Sequence, residues 1–203
     1  FKILNSKKII VKKGLLKNRI ENFYYPYFFN RKKKLPFVTG KLAISKKNII
    51  YSKPQKRITN AYSDQFTHLL RYQNDCIMIT YKTLNKDNPR LNCRLKGMEN
   101  FSPKRIILDN ELNSNMNSYI FKSSNNKNTL IFYNKADKSK ISKFKRKGII
   151  LIKSKIDGDN KFDIKEILKK LYNFGCRNLL IEGGNDLTNF LIKNKIFNKF
   201  YLF

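Results

Sequence analysis

The chain has 203 residues, 41% hydrophobic and 13% aromatic, which is enough for one well-buried core and excludes a disordered tail. Its 44 Lys and Arg against 14 Asp and Glu give a formal net charge of +30, but the basic residues are scattered and dense only at 31–34 and 138–147. We therefore attribute the charge to a general drift in composition and predict no nucleic-acid partner, and we keep a basic nucleic-acid-binding protein as an alternative.

The sequence also argues against a membrane, secreted or zinc protein. It has no run of about 18 apolar residues and no signal-peptide pattern at its start, which predicts a soluble cytoplasmic protein with no membrane partner. The three cysteines are far apart without a CxxC pair, and there is one histidine, so the closely spaced ligands of a zinc site are missing. We predict no bound metal.

The first part of the chain, residues 1–34, is short and basic. It contains one strand-like run, IIVKKGLL at 9–16, and an aromatic cluster, NFYYPYFF at 22–29, that is too small for a core of its own. We interpret this part as a linker or as the remnant of another unit.

From residue 35 onward, strand-like and helical patterns alternate. Four segments are predicted before residue 95: a strand at 37–44, a helix capped by Thr59 and ending near Tyr72, a buried strand at 76–81, and a polar loop closed by Pro89 that extends again at 91–94. Three continuous apolar runs follow, typical of central strands that are covered on both faces: 105–109, 129–133 and 148–153.

The last quarter of the chain continues the same alternation. Asp163 followed by Glu166 predicts a capping box that opens a helix to about Phe174. Next come a strand at 178–182, a glycine turn, a helix at 186–194 and a strand from 199. The whole pattern predicts an α/β protein with a mostly parallel central sheet flanked by helices, and ligands at the carboxyl ends of the strands.

The segment LLIEGGNDLTNFL at 179–191 is the sharpest local motif. A strand ends at Glu182, two glycines let the backbone approach a ligand, and the next helix directs its first N–H groups to the same place. A phosphate or pyrophosphate would fit there. An ordinary strand-to-helix turn fits the spacing equally well, and the GxGxxG pattern is absent.

A group of polar residues follows the strand at 76–81. Thr83, Asp87 and either Arg90 or Arg94 are placed to project into a cleft. Two plainer readings stay open, because an Asp-Asn-Pro run usually forms a turn and Arg71 is placed to cap the carbonyls of its own helix.

The only histidine, His68, lies in the predicted helix before this strand. No GxSxG elbow accompanies it, so a catalytic triad is not supported. We interpret His68 as a hydrogen-bonded side chain at the surface of the core, which leaves general acid–base chemistry to Asp87 or Glu182.

Three segments, 36–45, 58–94 and 179–203, resemble in order and spacing the reductase domain of the bifunctional deaminase/reductase of riboflavin biosynthesis. The set H-x-L-R, T-x-x-x-D-x-P-x-L and EGG is specific in combination. The resemblance implies a dihydrofolate-reductase-like fold, a dimer, and NADPH lying across the carboxyl ends of the strands. It also implies hydride transfer to C1′ of the opened ribose of 5-amino-6-(5-phosphoribosylamino)uracil, which gives the ribitylamino product.

The same resemblance divides the chain into two parts. Residues 1–35 are similar to the end of the preceding deaminase domain and its linker, and 36–203 to the reductase domain without its last strands. The HxE and PCxxC zinc motifs of that deaminase are absent from the chain, so we expect no deamination.

Site residues are also implied by position in the resemblance. Four fall at substrate positions, where the arginines suit a sugar phosphate: Arg71, Leu91, Arg94 and Glu182. Twelve fall at cofactor positions: Ala43, Arg57, Thr83, Asp87, Asn110, Gly184, Asn185, Asp186, Leu187, Thr188, Asn189 and Phe190. No side chain is assigned as a nucleophile or proton donor, because the hydride belongs to the cofactor.

The chain departs from the family pattern in two places. Residues 45–49 replace a Ser-Leu-Asp-Gly-Lys run, so the Asp-Gly turn is missing, and 55–57 replace Ser-x-Trp. Arg57 stands where the family has the indole and could stack on or pair with the cofactor instead. These changes leave the choice between NADPH and NADH open.

Two alternatives remain at this point. A reductase of the same fold with another pteridine or pyrimidine substrate would keep the glycine turn without needing Arg71 and Arg94. A nucleic-acid-binding protein would instead bind nucleic acid with a steep salt dependence and would not bind NADPH.

Overall fold

The computed structural model describes residues 1–44, 60–124 and 128–203. Its strands are β1 (Phe37–Leu42), β2 (Cys76–Thr80), β3 (Lys104–Leu108), β4 (Thr129–Tyr133), β5 (Ile150–Lys153), β6 (Asn178–Ile181) and β7 (Lys199–Leu202). Its helices are α1 (Lys2–Ser6), α2 (Lys17–Lys33), α3 (Ala61–Tyr72), α4 (Tyr81–Asp87), α5 (Tyr119–Lys122), α6 (Lys138–Arg146), α7 (Ile164–Asn173) and α8 (Asn185–Lys193), with a 3₁₀ turn at Glu99–Phe101. None of the helices in these ranges has the length and hydropathy needed to span a bilayer.

The described strands form one sheet in the order β5-β4-β3-β2-β6-β1-β7, and each pairing between them is parallel. This confirms the predicted α/β architecture with a mostly parallel sheet. Because the strands run the same way, their carboxyl ends meet along one edge. The strand β6 lies between β1 and β2, so the residues that follow these three strands are neighbours in space.

Successive residues of the central strands enter two separate cores, one on each face of the sheet. Met78 and Ile106 pack in the core that α7 covers, while Ile77 and Ile107 pack in the core on the other face. This explains why these strands are continuously apolar rather than alternating. The prediction of a central strand at 148–153 was wrong in one respect. Among the described strands β5 lies at the edge of the sheet, with three partly buried residues and the exposed Lys153.

The helix predicted after Asp163 is confirmed, but its capping box is only half formed. The Asp163 carboxylate accepts hydrogen bonds from the backbone N–H groups of Lys165 (2.9 Å) and Glu166 (3.1 Å). The Glu166 side chain does not return to Asp163. It accepts from the backbone N–H of Lys155 (3.3 Å) and pairs with Lys170 (2.8 Å), which ties the helix to the loop before it.

The N-terminal segment differs from its predicted form. No strand forms at 9–16, and the aromatic cluster lies in α2, a helix that contains Pro26. This helix packs on the start of the sheet: the rings of Tyr25 and Phe29 contact Phe37 edge-on, with centroids 5.8 and 5.9 Å away. The Asn30 amide adds hydrogen bonds to the backbone carbonyls that flank β1 and β6.

Two further predictions in the first half of the sheet were wrong. The polar stretch after β2 is the helix α4 rather than a loop, and it begins where the Thr80 hydroxyl accepts a hydrogen bond from the Thr83 N–H (3.3 Å). Residues 91–94 form no strand, and Leu91 has a left-handed φ of 54° that ends any extended run there.

The start of α3 lies one residue later than predicted. The helix is capped by Asn60, whose side-chain oxygen accepts a hydrogen bond from the Ser63 N–H (2.8 Å). Thr59, the predicted cap, lies outside the described residues, as do the departures at 45–49 and 55–57, including Arg57.

Candidate active site

Four neighbouring strands bring predicted cofactor residues to the same edge of the sheet. Asn110 follows β3, Thr83 follows β2, Gly184 follows β6 and Ala43 follows β1. These strands are consecutive in the sheet order β3-β2-β6-β1. The predicted residues therefore line one continuous stretch of the carboxyl edge, the usual place for ligands in an open parallel sheet.

The turn formed by Gly183 and Gly184 is held close to its neighbours. A Cβ atom on Gly184 would lie 3.3 Å from the Thr83 hydroxyl, and one on Gly183 would lie 3.0 Å from Leu187. Gly184 is the N-cap of α8, and no side chain of a described residue caps the first N–H groups of that helix. The turn thus presents bare backbone beside the Thr83 hydroxyl, and the missing side chains let a ligand approach that backbone closely.

The side chains of the α8 stretch divide into two groups. Those of Leu187 and Thr188 are buried in the core, so only their backbone can face a ligand. Those of Asn185, Asp186 and Asn189 are exposed, and the Asn189 amide donates to the Asn185 side chain (3.0 Å). The ring of Phe190 is half-buried and lies 5.7 Å from the Lys161 ammonium.

Asn110 has one buried side-chain atom without a partner. Its amide nitrogen donates to the Asn160 carbonyl (3.0 Å), and its backbone carbonyl accepts from the N–H groups of Asn134 and Lys135. The side-chain oxygen is buried and has no hydrogen-bond partner among the described residues. A buried acceptor of this kind costs stability unless a donor reaches it, which makes Asn110 suited to a ligand amide or hydroxyl.

Thr83 and Asp87 lie one turn apart on α4. Thr83 is half-buried against the glycine turn, and Asp87 is exposed at the last position of the helix. Asn88, not Asp87, takes the left-handed conformation that ends the helix, with φ 42°. The side chain of Asp87 is therefore not needed for the turn.

The residues predicted to bind the substrate centre on a bidentate ion pair. Arg71 donates from Nε and Nη2 to the two carboxylate oxygens of Glu182, each at 2.8 Å, with the side chains 11% and 14% exposed. Its Nη1 donates to the Asn92 carbonyl (3.3 Å). Arg71 therefore spans from α3 to the glycine turn, and it does not cap the carbonyls of its own helix.

Several charged groups lie around this pair. Burial is the largest single influence and lowers the pKa of Arg71, but the charge and hydrogen bonds of Glu182, together with Cys93 and Asp64, outweigh it, so the net shift is upward. Lys41, at the end of β1, has a lowered pKa, first because it is buried and then because Arg71 opposes a second positive charge there. Its ammonium lies 5.4 Å from the centre of the Phe203 ring.

Two further residues lie beside the Arg71–Glu182 pair: His68 in α3, and Arg94 in the loop that follows α4. Arg94 is exposed and donates to the Asn92 side chain (3.0 Å), while its backbone N–H donates to Nδ1 of His68 (3.3 Å). Burial, followed by the charges of Arg71 and Arg94, lowers the pKa of His68. The interpretation of His68 as a hydrogen-bonded side chain at the core surface is confirmed. The fourth predicted residue, Leu91, has its side chain in the core.

Lys41 and Asn92 belong to this cluster but were missed in the sequence. Asn92 touches both arginines, through its carbonyl and through its side chain. No local motif marks it. Lys41 could have been found, because lysine is rarely buried without a partner and its position inside a predicted buried strand therefore indicates a functional or paired side chain. No group of three His, Cys, Asp or Glu residues in the described ranges is placed to bind a metal ion.

A family model described as the RibD C-terminal domain matches residues 48–203. The chain belongs to this family. Among its relatives is a riboflavin biosynthesis protein RibD of Actinobacillus pleuropneumoniae, 27% identical over 95% of the chain and 51% of that protein. Another is the 2,5-diamino-6-ribosylamino-4(3H)-pyrimidinone 5′-phosphate reductase of Debaryomyces hansenii, 30% identical over 77% of the chain and 69% of that protein.

The solved structure of RibD from Acinetobacter baumannii has the same fold. It superposes on this RibD C-terminal domain with a TM-score of 0.78 over 99% of the chain and 55% of that structure, at 19% identity. The prediction of a dihydrofolate-reductase-like fold is confirmed. The chain spans about half the length of the first curated RibD relatives it matches.

Proposed function

We propose that this RibD C-terminal domain reduces 5-amino-6-(5-phosphoribosylamino)uracil at its ribose, with NADPH as the reductant. The observation on which the proposal depends is the Arg71–Glu182 pair, held next to the glycine turn and surrounded by Lys41, His68 and Arg94. This arrangement supports the proposal, because a cluster of cationic side chains suits a sugar phosphate and lies directly beside backbone N–H groups that suit the phosphates of a dinucleotide.

The residues at the carboxyl edge fit a dinucleotide. The bare N-terminus of α8 and the Thr83 hydroxyl suit its phosphates, and the unpaired oxygen of Asn110 suits an amide or hydroxyl group farther along the edge. Ala43, at the end of β1, is the residue that would border the nicotinamide ring. When bound, the cofactor supplies a hydride.

The side chains on the substrate side have separate tasks. Glu182 holds Arg71 in a fixed orientation, because both of its oxygens are occupied by that guanidinium. Arg94 is exposed and has donors left for the sugar phosphate. Lys41, with its lowered pKa, is suited to give a proton to the ring oxygen of the ribose as it opens.

The names of two relatives favour one alternative substrate. The Debaryomyces hansenii protein and one from Aquifex aeolicus are named for a 2,5-diamino-pyrimidinone phosphate rather than for the uracil. The two compounds differ in the pyrimidine and share the ribose phosphate, so the arginine site suits both. We further propose, from the family resemblance, a cytoplasmic dimer.

The test is a fluorescence titration of the chain with NADPH and NADH, followed by turnover measurements with both pyrimidines. We expect Gly184→Val to abolish NADPH binding, because its side chain would fill the turn, whereas Gly158→Val, at an open position, leaves binding intact. Arg94→Gln should raise KM for the phosphorylated substrate without changing NADPH affinity. Absence of NADPH binding, together with salt-dependent binding of nucleic acid, would instead support the nucleic-acid alternative.

A further inference from the structure

A polar cavity lies at the opposite edge of the sheet from the glycine turn. It has a volume of about 190 Å³ and is lined by Arg105 at the start of β3, by Asn128 just before β4, and by Arg90 and Tyr119. Since a water molecule occupies about 30 Å³, the cavity has space for roughly six waters, or for a small hydrated anion. It is too small for a dinucleotide.

Among the residues that the structure describes, Arg105 is a buried cation without a counter-charge. It is only 7% exposed, and its guanidinium donates to the Ser123 hydroxyl (2.8 Å) and to the carbonyls of Ile120 (3.4 Å) and Ser123 (3.3 Å). These acceptors are all neutral, and no carboxylate in residues 1–44, 60–124 or 128–203 forms an ion pair with it. Burial lowers the pKa of Arg105, but a guanidinium remains charged at neutral pH. A charge buried in this way is costly unless a negative group comes to it.

The second guanidinium in the cavity belongs to Arg90. It lies 4.9 Å from the centre of the Tyr119 ring, and the same ring is close enough for its electrostatic influence to reach Arg105. In the described part of the chain, Arg90 also has no ion-pair partner. Both guanidinium groups line the same cavity. An anion that fills it would meet both of them, and their forked donors suit its oxygen atoms.

We propose that this cavity is a second oxyanion site, which takes phosphate or the phosphate end of a small phosphomonoester. It is distinct from the substrate site, because Arg105 and Asn128 are at the amino ends of their strands and Glu182 is at a carboxyl end. Asn92 is the link between the two: it lines the cavity, and it accepts hydrogen bonds from Arg71 and Arg94. The site does not depend on the proposed reductase activity.

The test is calorimetric titration of the Arg94→Gln protein with inorganic phosphate at constant ionic strength, since this variant lacks the exposed arginine of the substrate site. We expect one saturable site. Adding Arg90→Gln should weaken it by about tenfold, the effect of one charge-assisted hydrogen bond. The matched control is Lys104→Gln, which removes an equal charge from an exposed residue beside Arg105 and should leave the affinity within a factor of about two.

A second arm identifies the source of the phosphate group. Displacement of phosphate by ribose 5-phosphate would assign the site to phosphomonoesters, and no displacement would assign it to inorganic phosphate. Arg105→Met tests the buried cation directly, and Arg90→Gln serves if that variant does not fold. The proposal is overturned if the Arg94→Gln protein shows no saturable phosphate binding, or if Arg90→Gln and Lys104→Gln weaken it equally.

Discussion

Changing Glu182 to Gln tests how much the Arg71–Glu182 pair contributes to stability. The substitution keeps the size of the side chain but removes the charge that accepts two hydrogen bonds of 2.8 Å. Removing one partner of a buried pair costs about 3–5 kcal/mol. Because Gln keeps one acceptor oxygen and some solvent reaches the pair, we expect a loss of about 3 kcal/mol in the free energy of unfolding. For a chain of this size, that lowers the melting temperature by roughly 6–12 °C.

The measurement is equilibrium unfolding in urea, followed by circular dichroism. Glu21→Gln is the matched control, since Glu21 pairs with Lys17 at 3.8 Å with the side chains 61% and 69% exposed, and we expect its loss to stay below about 0.5 kcal/mol. Adding Arg71→Met to Glu182→Gln removes the unpaired cation, so the double variant should be about 2 kcal/mol more stable than additivity predicts. Equal losses at Glu182 and Glu21, or simple additivity, would refute this account of the pair.

Three other predictions follow from the structure. Gly40→Ala should lower the free energy of unfolding by about 1–3 kcal/mol, because its Cβ would overlap two Phe rings near β7, whereas Gly158→Ala meets no atom within 4 Å and should change thermal stability little. The pKa of His68, the only histidine, should lie below its ordinary value of 6.5 when followed by proton NMR. As the pH falls below about 6.5, His68 therefore takes up a proton in the unfolded chain before it does so in the folded chain, so the free energy of unfolding decreases. An unshifted pKa would contradict this. Asp186→Asn should strengthen NADPH binding at low salt, since an exposed carboxylate in the first turn of α8 repels phosphate, and an unchanged dissociation constant would argue against phosphates at that turn.

The buried strands could be predicted because their apolar runs are short, continuous and bounded by polar residues. The run at 129–133 has the same bounds as β4. Two helices rich in polar residues were missed. α4 was interpreted as a polar loop, and α6 was noticed only as a basic run, because only Ile141 and Phe144 among its many lysines pack in the core. In α2 the obstacle was Pro26, which usually argues against a helix interior.

From local residue patterns alone, the candidate site could be predicted only where its residues are adjacent in sequence. The family resemblance added Arg71 and Glu182 as substrate positions but did not pair them. The glycine turn and the start of α8 form one local motif, and the structure places them as the motif suggests. The partner of Arg71 could not be predicted, because 111 positions separate it from Glu182 and neither residue marks the other. The cavity at Arg105 could not be predicted either, because its walls come from residues 90–103, before β3, and residues 119–128, after it.

The position of β6 has a consequence for how the polypeptide acquires its shape. Of the described strands, β1 pairs only with β6 and β7, and both of these come from the last part of the chain. During synthesis β1 must therefore stay without its partner strands until residues 178–202 have left the ribosome. Pairing between strands so far apart in sequence slows folding and leaves the apolar residues of β1 exposed to aggregation for longer. We therefore expect a chaperone to act chiefly on β1.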